Sequence, residues 1–171
     1  MQRSLEQLLM LARLEGVARD ADPHEQCNPA EAAHEAVREV ETSSECHGRI
    51  ALDLQTPSVP LVTVPDRLVV SGVRNLLENA LRHSPIDGEI RLQVSHDGNG
   101  RVVFRVLDSG SGMTPAECEQ AVRRFWRRDR TGQGSGLGLS IVDAIARRYG
   151  GELRLSPRSP GGLSAELVLP S

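Results

Sequence analysis

The 171-residue sequence has no lysine; all 20 of its basic residues are arginine. That absence excludes a Walker A phosphate loop, a Schiff-base enzyme and a Ser-Lys dyad, each of which needs a lysine ammonium. Aromatic residues are nearly as scarce, since Phe104, Phe125, Trp126 and Tyr149 complete the set, so the core must be aliphatic. Cysteine occurs only as Cys27, Cys46 and Cys118, an odd number without a C-x-x-C spacing, which argues against a disulfide scaffold and a zinc cluster and fits a reducing compartment. No run approaches the roughly 20 apolar residues that cross a bilayer, and Met1 is not followed by a leader pattern. A net charge of -3 gives no general attraction to nucleic acid or to an anionic membrane. What remains is a chain with 39% hydrophobic and 25% charged residues, enough for one globular domain with a sizeable core.

Leu5, Leu8, Leu11 and Leu14, with Leu9 beside them, recur at helical spacing over residues 1 to 15, with an apolar arc wide enough to require a helical partner. Residues 16 to 27 carry no apolar period and read as a linker. Asn28-Pro29 followed by Glu31 has the form of a helix start, predicting a helix over about 29 to 43. Two short strands are expected at 49 to 54 and 59 to 64 around the Thr56-Pro57 turn, and Asp66 is expected to cap a long helix through His83 that Ser84-Pro85 stops. Ile90, Leu92 and Val94 alternate with polar residues, Val102, Phe104 and Val106 share one parity, and the Asp97-Gly98-Asn99-Gly100 turn between them predicts a hairpin. Thr114-Pro115 opens a helix to about Arg124, and another runs from about 137 to 149, where Gly150-Gly151 ends it. Strands at 152 to 156 and 163 to 169 form a last hairpin. This order predicts an α/β two-layer sandwich, with a mixed, mainly antiparallel sheet and helices on one face.

Three stretches carry chemistry. On the helix ending at His83, Val69, Val73, Leu76, Leu77, Ala80 and Leu81 form the buried stripe, while Asn75, Glu78, Asn79 and Arg82 share another face. Amide oxygens suit a Mg²⁺ that already carries phosphate, and a guanidinium suits phosphate oxygens. The alternative is a solvated face with a Glu78 to Arg82 ion pair. Asp108, ending a strand in the parity of its apolar residues, begins Asp108-Ser109-Gly110-Ser111-Gly112-Met113; its carboxylate could accept an exocyclic purine amine, or the segment could be a polar turn. Gly132, Gly134, Gly136 and Gly138 precede a helix start, where free N–H groups and the positive dipole end favour phosphate; the alternative is a flexible linker. Between the last two, arginines 123, 124, 127, 128 and 130 flank Phe125 and Trp126. A mobile lid with Phe125 packed on the core, a single-strand nucleic-acid surface and a solvated charge run all fit this composition.

In this order the residues resemble the ATP-binding catalytic domain of bacterial sensor histidine kinases, within the superfamily that includes gyrase, heat-shock chaperones and mismatch-repair ATPases. Asn75-Leu76-Leu77-Glu78-Asn79-Ala80-Leu81-Arg82-His83 is similar to the N box, Asp108-x-Gly110-x-Gly112 to the first glycine box, the Phe125 region to the F box, and Gly134-x-Gly136-x-Gly138-Leu139 to the second glycine box. The resemblance covers residues 28 to 171 and implies a Bergerat-type ATP-binding fold, with residues 1 to 15 as the end of a dimerisation-domain helix. It assigns Asp108 to the adenine amine, Asn75 and Asn79 to Mg²⁺ and phosphate, and Arg82 and His83 to phosphate oxygens. Glu78, with Asn79, would serve the transfer to a histidine. Gly110, Gly112, Met113, Phe125, Gly134, Gly136, Leu137, Gly138 and Leu139 would complete the ATP site. The implied partners are ATP, the dimerisation and phosphoacceptor domain, and a response regulator, with no nucleic acid and no membrane contact by this chain. The implied location is the cytoplasmic side of an inner-membrane protein. No phosphoacceptor box is present, because His34-Glu35 and His24-Glu25 both lack its following pattern, and Val122 stands where the F box usually begins with Phe. A chaperone- or gyrase-type ATPase and a non-catalytic nucleotide-sensing module are the alternatives.

Overall fold

A computed structural model of the chain describes residues 2–15, 25–43, 48–54, 59–126 and 135–171. The elements run α1 (Gln2–Glu15), α2 (Pro29–Ser43), β1 (Ile50–Leu54), α3 (Asp66–His83), β2 (Ile90–His96), β3 (Arg101–Leu107), α4 (Pro115–Ala121), α5 (Gly138–Arg148), β4 (Glu152–Pro157) and β5 (Leu163–Pro170). The five strands form one sheet in the order β1-β2-β3-β5-β4, with β1 parallel to β2 and every other pair antiparallel.

Alternation sets the faces of that sheet. Leu92 pairs with Val106, Val94 with Phe104, and Phe104 with Leu167, and all five are fully buried or nearly so beneath α2, α3 and α5. The opposite parity gives Gln93, Arg105, Glu166 and Arg154 side by side across four strands, with Arg105 Nε donating to Glu166 Oε1 at 2.7 Å. This is the expected two-layer arrangement. Asn28 Oδ1 accepts from the Ala30 N–H at 3.1 Å and so starts α2 as foreseen. Thr114 starts α4 with a full capping box: its Oγ1 accepts from Glu117 N, and Glu117 Oε2 accepts from Thr114 N.

Three expectations require correction. Residues 59–64 are not a strand; Val62 alone makes a bridge, exchanging backbone hydrogen bonds with Cys27, because Pro60 and Pro65 remove the neighbouring donors. The N-cap of α3 is Pro65, and Asp66 is the first helical residue, its Oδ1 accepting from Cys27 Sγ at 3.1 Å. Helix α4 ends at Ala121 rather than near Arg124. The Thr56-Pro57 turn lies outside the described residues.

Part of the wide apolar arc of α1 is covered within the chain. Leu11 and Leu14 bury against Leu137, Ile141 and Ile145, so α5 is covered by the sheet on one side and by α1 on another. Arg148 Nη1 donates to the Leu14 carbonyl at 3.0 Å and ties down the end of the helix. Leu5, Leu8 and Leu9 stay exposed.

Candidate functional site

Helix α3 owes its place to Val69, Val73, Leu76, Leu77 and Ala80, which are buried against the sheet. That packing turns Asn75, Glu78, Asn79, Arg82 and His83 toward a cavity of about 340 Å³, which is also lined by Asp108, Gly112, Met113, Gly136, Gly138 and Leu139. Eleven of the residues proposed from sequence thus meet in one space, a volume suited to a small organic ligand.

The cavity lining combines two chemistries. Asp108, only 4% exposed, has its carboxylate fixed by the backbone: Oδ1 accepts from Gly110 N at 2.8 Å and Leu163 N at 3.2 Å. Met113, Ala121, Trp126, Leu139 and Leu163 give apolar surface in the same cavity. Asn75, Asn79, Arg82 and His83 add amides and basic groups to the lining. Asn75 Nδ2 donates to the Ser71 carbonyl at 2.8 Å, which fixes the amide so that Oδ1 points away from the helix backbone. Glu78 pairs with Arg74 at 3.8 Å, not with Arg82, so the ion pair weighed from sequence is made one turn earlier and Arg82 is left to the cavity. The first turn of α5 abuts here, its Gly138 so near Asn75 that a Cβ would stand 3.3 Å from Oδ1.

Three residues of the proposed set do not line the cavity. Gly110 lies beneath it against α3, where an added Cβ would meet the His83 carbonyl oxygen at 2.3 Å. Leu137 is fully buried against Leu11 and Ile141, and it packs α5 rather than the ligand space. Phe125 does not pack on the core as expected; it is 60% exposed with φ 60, while the adjoining Trp126 turns inward and donates from Nε1 to Gln120 Oε1 at 3.2 Å. Gly134 lies outside the described residues, as do arginines 127, 128 and 130 of the lid reading.

Gln7, Ser111, Ala121, Trp126, Ser135 and Leu163 line the cavity although sequence reasoning did not assign them to it. Gln7 comes from α1: its Nε2 reaches Asn75 Oδ1 at 3.4 Å, and its Oε1 accepts from Ser135 Oγ at 2.8 Å. No local pattern could reveal a contact across such sequence separations. Leu163 carried a weak signal, since it begins the strand that pairs beside Asp108.

No group of three or more His, Cys, Asp or Glu among the described residues could hold a metal ion by itself. Two carboxamides on one helix lining a cavity nevertheless suit Mg²⁺ that brings phosphate oxygens as its remaining ligands.

Residues 64–171 match the family described as histidine kinase-, DNA gyrase B- and HSP90-like ATPase. The chain is 34% identical to the sensor protein kinase PmrB of Pseudomonas aeruginosa over 97% of its own length and 35% of that protein. With the sensor histidine kinase CpxA of Escherichia coli the identity is 36%, over 65% of this chain and 24% of that one. The chain therefore spans about a third or less of these relatives. Among solved structures, a mycobacterial sensor histidine kinase MprB superposes with a TM-score of 0.74 at 27% identity, covering 86% of this chain and 97% of that one. The full-length ShkA complex with AMPPNP shares the fold, with a TM-score of 0.81 at 23% identity, over 98% of this chain and 35% of that one.

Proposed function

The chain belongs to the histidine kinase-, DNA gyrase B- and HSP90-like ATPase family, as the catalytic ATPase domain of a sensor histidine kinase, and from that premise we propose that its cavity binds Mg-ATP for transfer of the γ-phosphoryl group to a histidine of a dimerisation domain. The observation that carries this reading is the lining of one cavity: a backbone-clamped carboxylate and apolar surface together with two carboxamides, a guanidinium and an imidazole.

Asp108 accepts the exocyclic amine of adenine through the oxygen that Gly110 and Leu163 leave open, while Met113, Leu139 and Leu163 flank the ring. The N–H groups of Gly138 and Leu139, at the positive end of α5, bind the phosphate tail, joined by Arg82 and His83. Asn75 and Asn79 would hold Mg²⁺, which would supply positive charge to offset that of the phosphates. Glu78 orients the incoming imidazole and takes its proton. Positioning and charge neutralisation are what phosphoryl transfer most requires of a protein. Residues 2–15 are then the end of a dimerisation helix, a response regulator is the downstream acceptor, and the catalytic domain works on the cytoplasmic side of a membrane-anchored parent. Among the described residues no helix is long and apolar enough to cross a membrane.

Calorimetric titration with ATP and Mg²⁺ tests the binding half of the proposal, and Asp108→Asn should lose the preference for adenine. For the chemical half, Glu78→Gln should retain ATP yet fail to phosphorylate a supplied dimerisation domain. Sustained ATP turnover by the chain in isolation, or strong self-labelling on His34 or His24, would overturn the kinase assignment.

A further inference from the structure

Where Asp108 meets β5, the sheet carries an irregularity that no nucleotide motif explains. The β3–β5 register continues past the Leu107–Ser164 pair, so that Asp108 lies opposite Leu163. An antiparallel pair of this type normally exchanges two backbone hydrogen bonds. Only one forms: Asp108 N donates to the Leu163 carbonyl at 3.1 Å, whereas the Leu163 N–H goes to the Asp108 carboxylate. The side chain has taken the donor that the Asp108 carbonyl would otherwise use. That displaced carbonyl accepts from Arg158 Nη1 instead. The approach is close, since a Cβ on Gly162 would fall 2.0 Å from the same oxygen.

We infer that Arg158, which lies outside every nucleotide-binding motif, is a positioning residue for base selection: by satisfying the Asp108 carbonyl it leaves the Leu163 N–H to the carboxylate and so holds the purine-reading oxygen in place. The inference rests on the Mg-ATP reading of the cavity. A buried carbonyl without a donor is costly, and the nearest repair is the ordinary ladder bond from Leu163 N. Making that bond releases Oδ1 and frees the carboxylate to turn. Arg158 therefore sets which of two acceptors on one residue receives a single donor, and the base-reading geometry follows from that choice.

Titration of the full chain with Mg-ATP and Mg-GTP gives the test. Wild type should prefer ATP, and Arg158→Ala should reduce the ATP-to-GTP affinity ratio roughly tenfold, in line with loss of a charge-assisted hydrogen bond. Arg158→Lys, which keeps a cationic donor, should restore most of the ratio. Arg105→Ala removes a guanidinium bond to Glu166 on the open sheet face and should lower thermal stability without moving the ratio. If Arg158→Ala does not fold, Arg158→Gln retains a neutral donor and should fall between wild type and loss. A second readout needs no nucleotide: the Leu163 amide resonance should follow titration of Asp108 in wild type and cease to follow it in Arg158→Ala. An unchanged ratio, or a Leu163 amide that still tracks the carboxylate without Arg158, refutes the inference. Failure of wild type to bind either nucleotide would sink the Mg-ATP reading instead, and the amide titration would still decide the role of Arg158.

Discussion

Substituting Gly110 by alanine isolates the part that backbone approach plays in shaping the cavity. Gly110 does not have a positive φ, so its need for glycine is spatial. A Cβ there would stand 2.3 Å from the His83 carbonyl oxygen and 2.9 Å from its carbonyl carbon, where real Cβ contacts keep at least 3.0 Å. The turn and the end of α3 must therefore part by about 3.0 − 2.3 = 0.7 Å. Neither side yields easily, because Gly110 N is bonded to Asp108 Oδ1 and the last turn of α3 is closed by Ser84 N on the Ala80 carbonyl. Overpacking of this kind costs about 1–3 kcal/mol. The strain also moves the donor that holds the Asp108 carboxylate, proposed to read the purine, so nucleotide affinity should fall by about tenfold to a hundredfold, well beyond what the loss of stability explains. Gly161→Ala provides the comparison, since its Cβ would meet Gly110 O at an ordinary 3.4 Å. Thermal melts paired with ATP calorimetry separate the two effects. Full ATP affinity in Gly110→Ala would show that the cavity does not depend on this contact.

Other substitutions probe the remaining parts. Leu11→Ala empties the α1–α5 contact, whose cost of about 2–4 kcal/mol should appear as faster amide exchange along α1 while the sheet stays protected. Gln7→Ala removes a donor that shares Asn75 Oδ1 with any bound metal, so magnesium-dependent nucleotide affinity should rise about twofold to threefold by calorimetry. Burial and the Asp66 carboxylate push the Cys27 thiol above its ordinary range, so the folded state holds the neutral form after the unfolded chain has begun to ionise. Stability is then intact below the unfolded thiol pKa of about 8.5 and falls as pH rises past it; Cys27→Ala should flatten that alkaline slope in chemical denaturation. Thr114→Ala removes a capping-box partner and should cost about 1 kcal/mol in the same assay.

The sheet was legible because each hairpin writes its own register: Leu92 and Val94 face Val106 and Phe104 across a turn in which Asp97 Oδ1 accepts from Asn99 N and Arg101 N. Residues 59–64 misled for a related reason. Their valines have strand character, yet the prolines deny them a ladder, and a single bridge to Cys27 is all that forms. The α3 face was legible because one helix carries it. Contributions assembled from distant segments were not: Gln7 reaches Ser135 across 128 positions, and only tertiary packing brings them together. Leu137 shows the limit from the other side, because the family resemblance placed it at the ligand and the fold buries it in the core.

The missing lysine has a structural counterpart around this cavity. The loop after His83 is held by Arg49, whose guanidinium reaches the carbonyls of Pro85 and Gly88 together. The turn beyond β4 is held to Asp108 by Arg158, and the end of α1 is held to α5 by Arg148. Each is a side chain gripping a backbone carbonyl at a strand, loop or helix end. A planar fork with several fixed donors can bridge two carbonyls at once, as Arg49 does, which a single ammonium point charge achieves less rigidly. Asn75 and Asn79 are placed by the packing of α3, whereas the loop after His83 and the turn after Asp108 carry few ladder bonds of their own. Rigidity at those loops is therefore supplied from outside the motifs, and replacing Arg49 or Arg158 should disturb the cavity more than either residue's exposure would suggest.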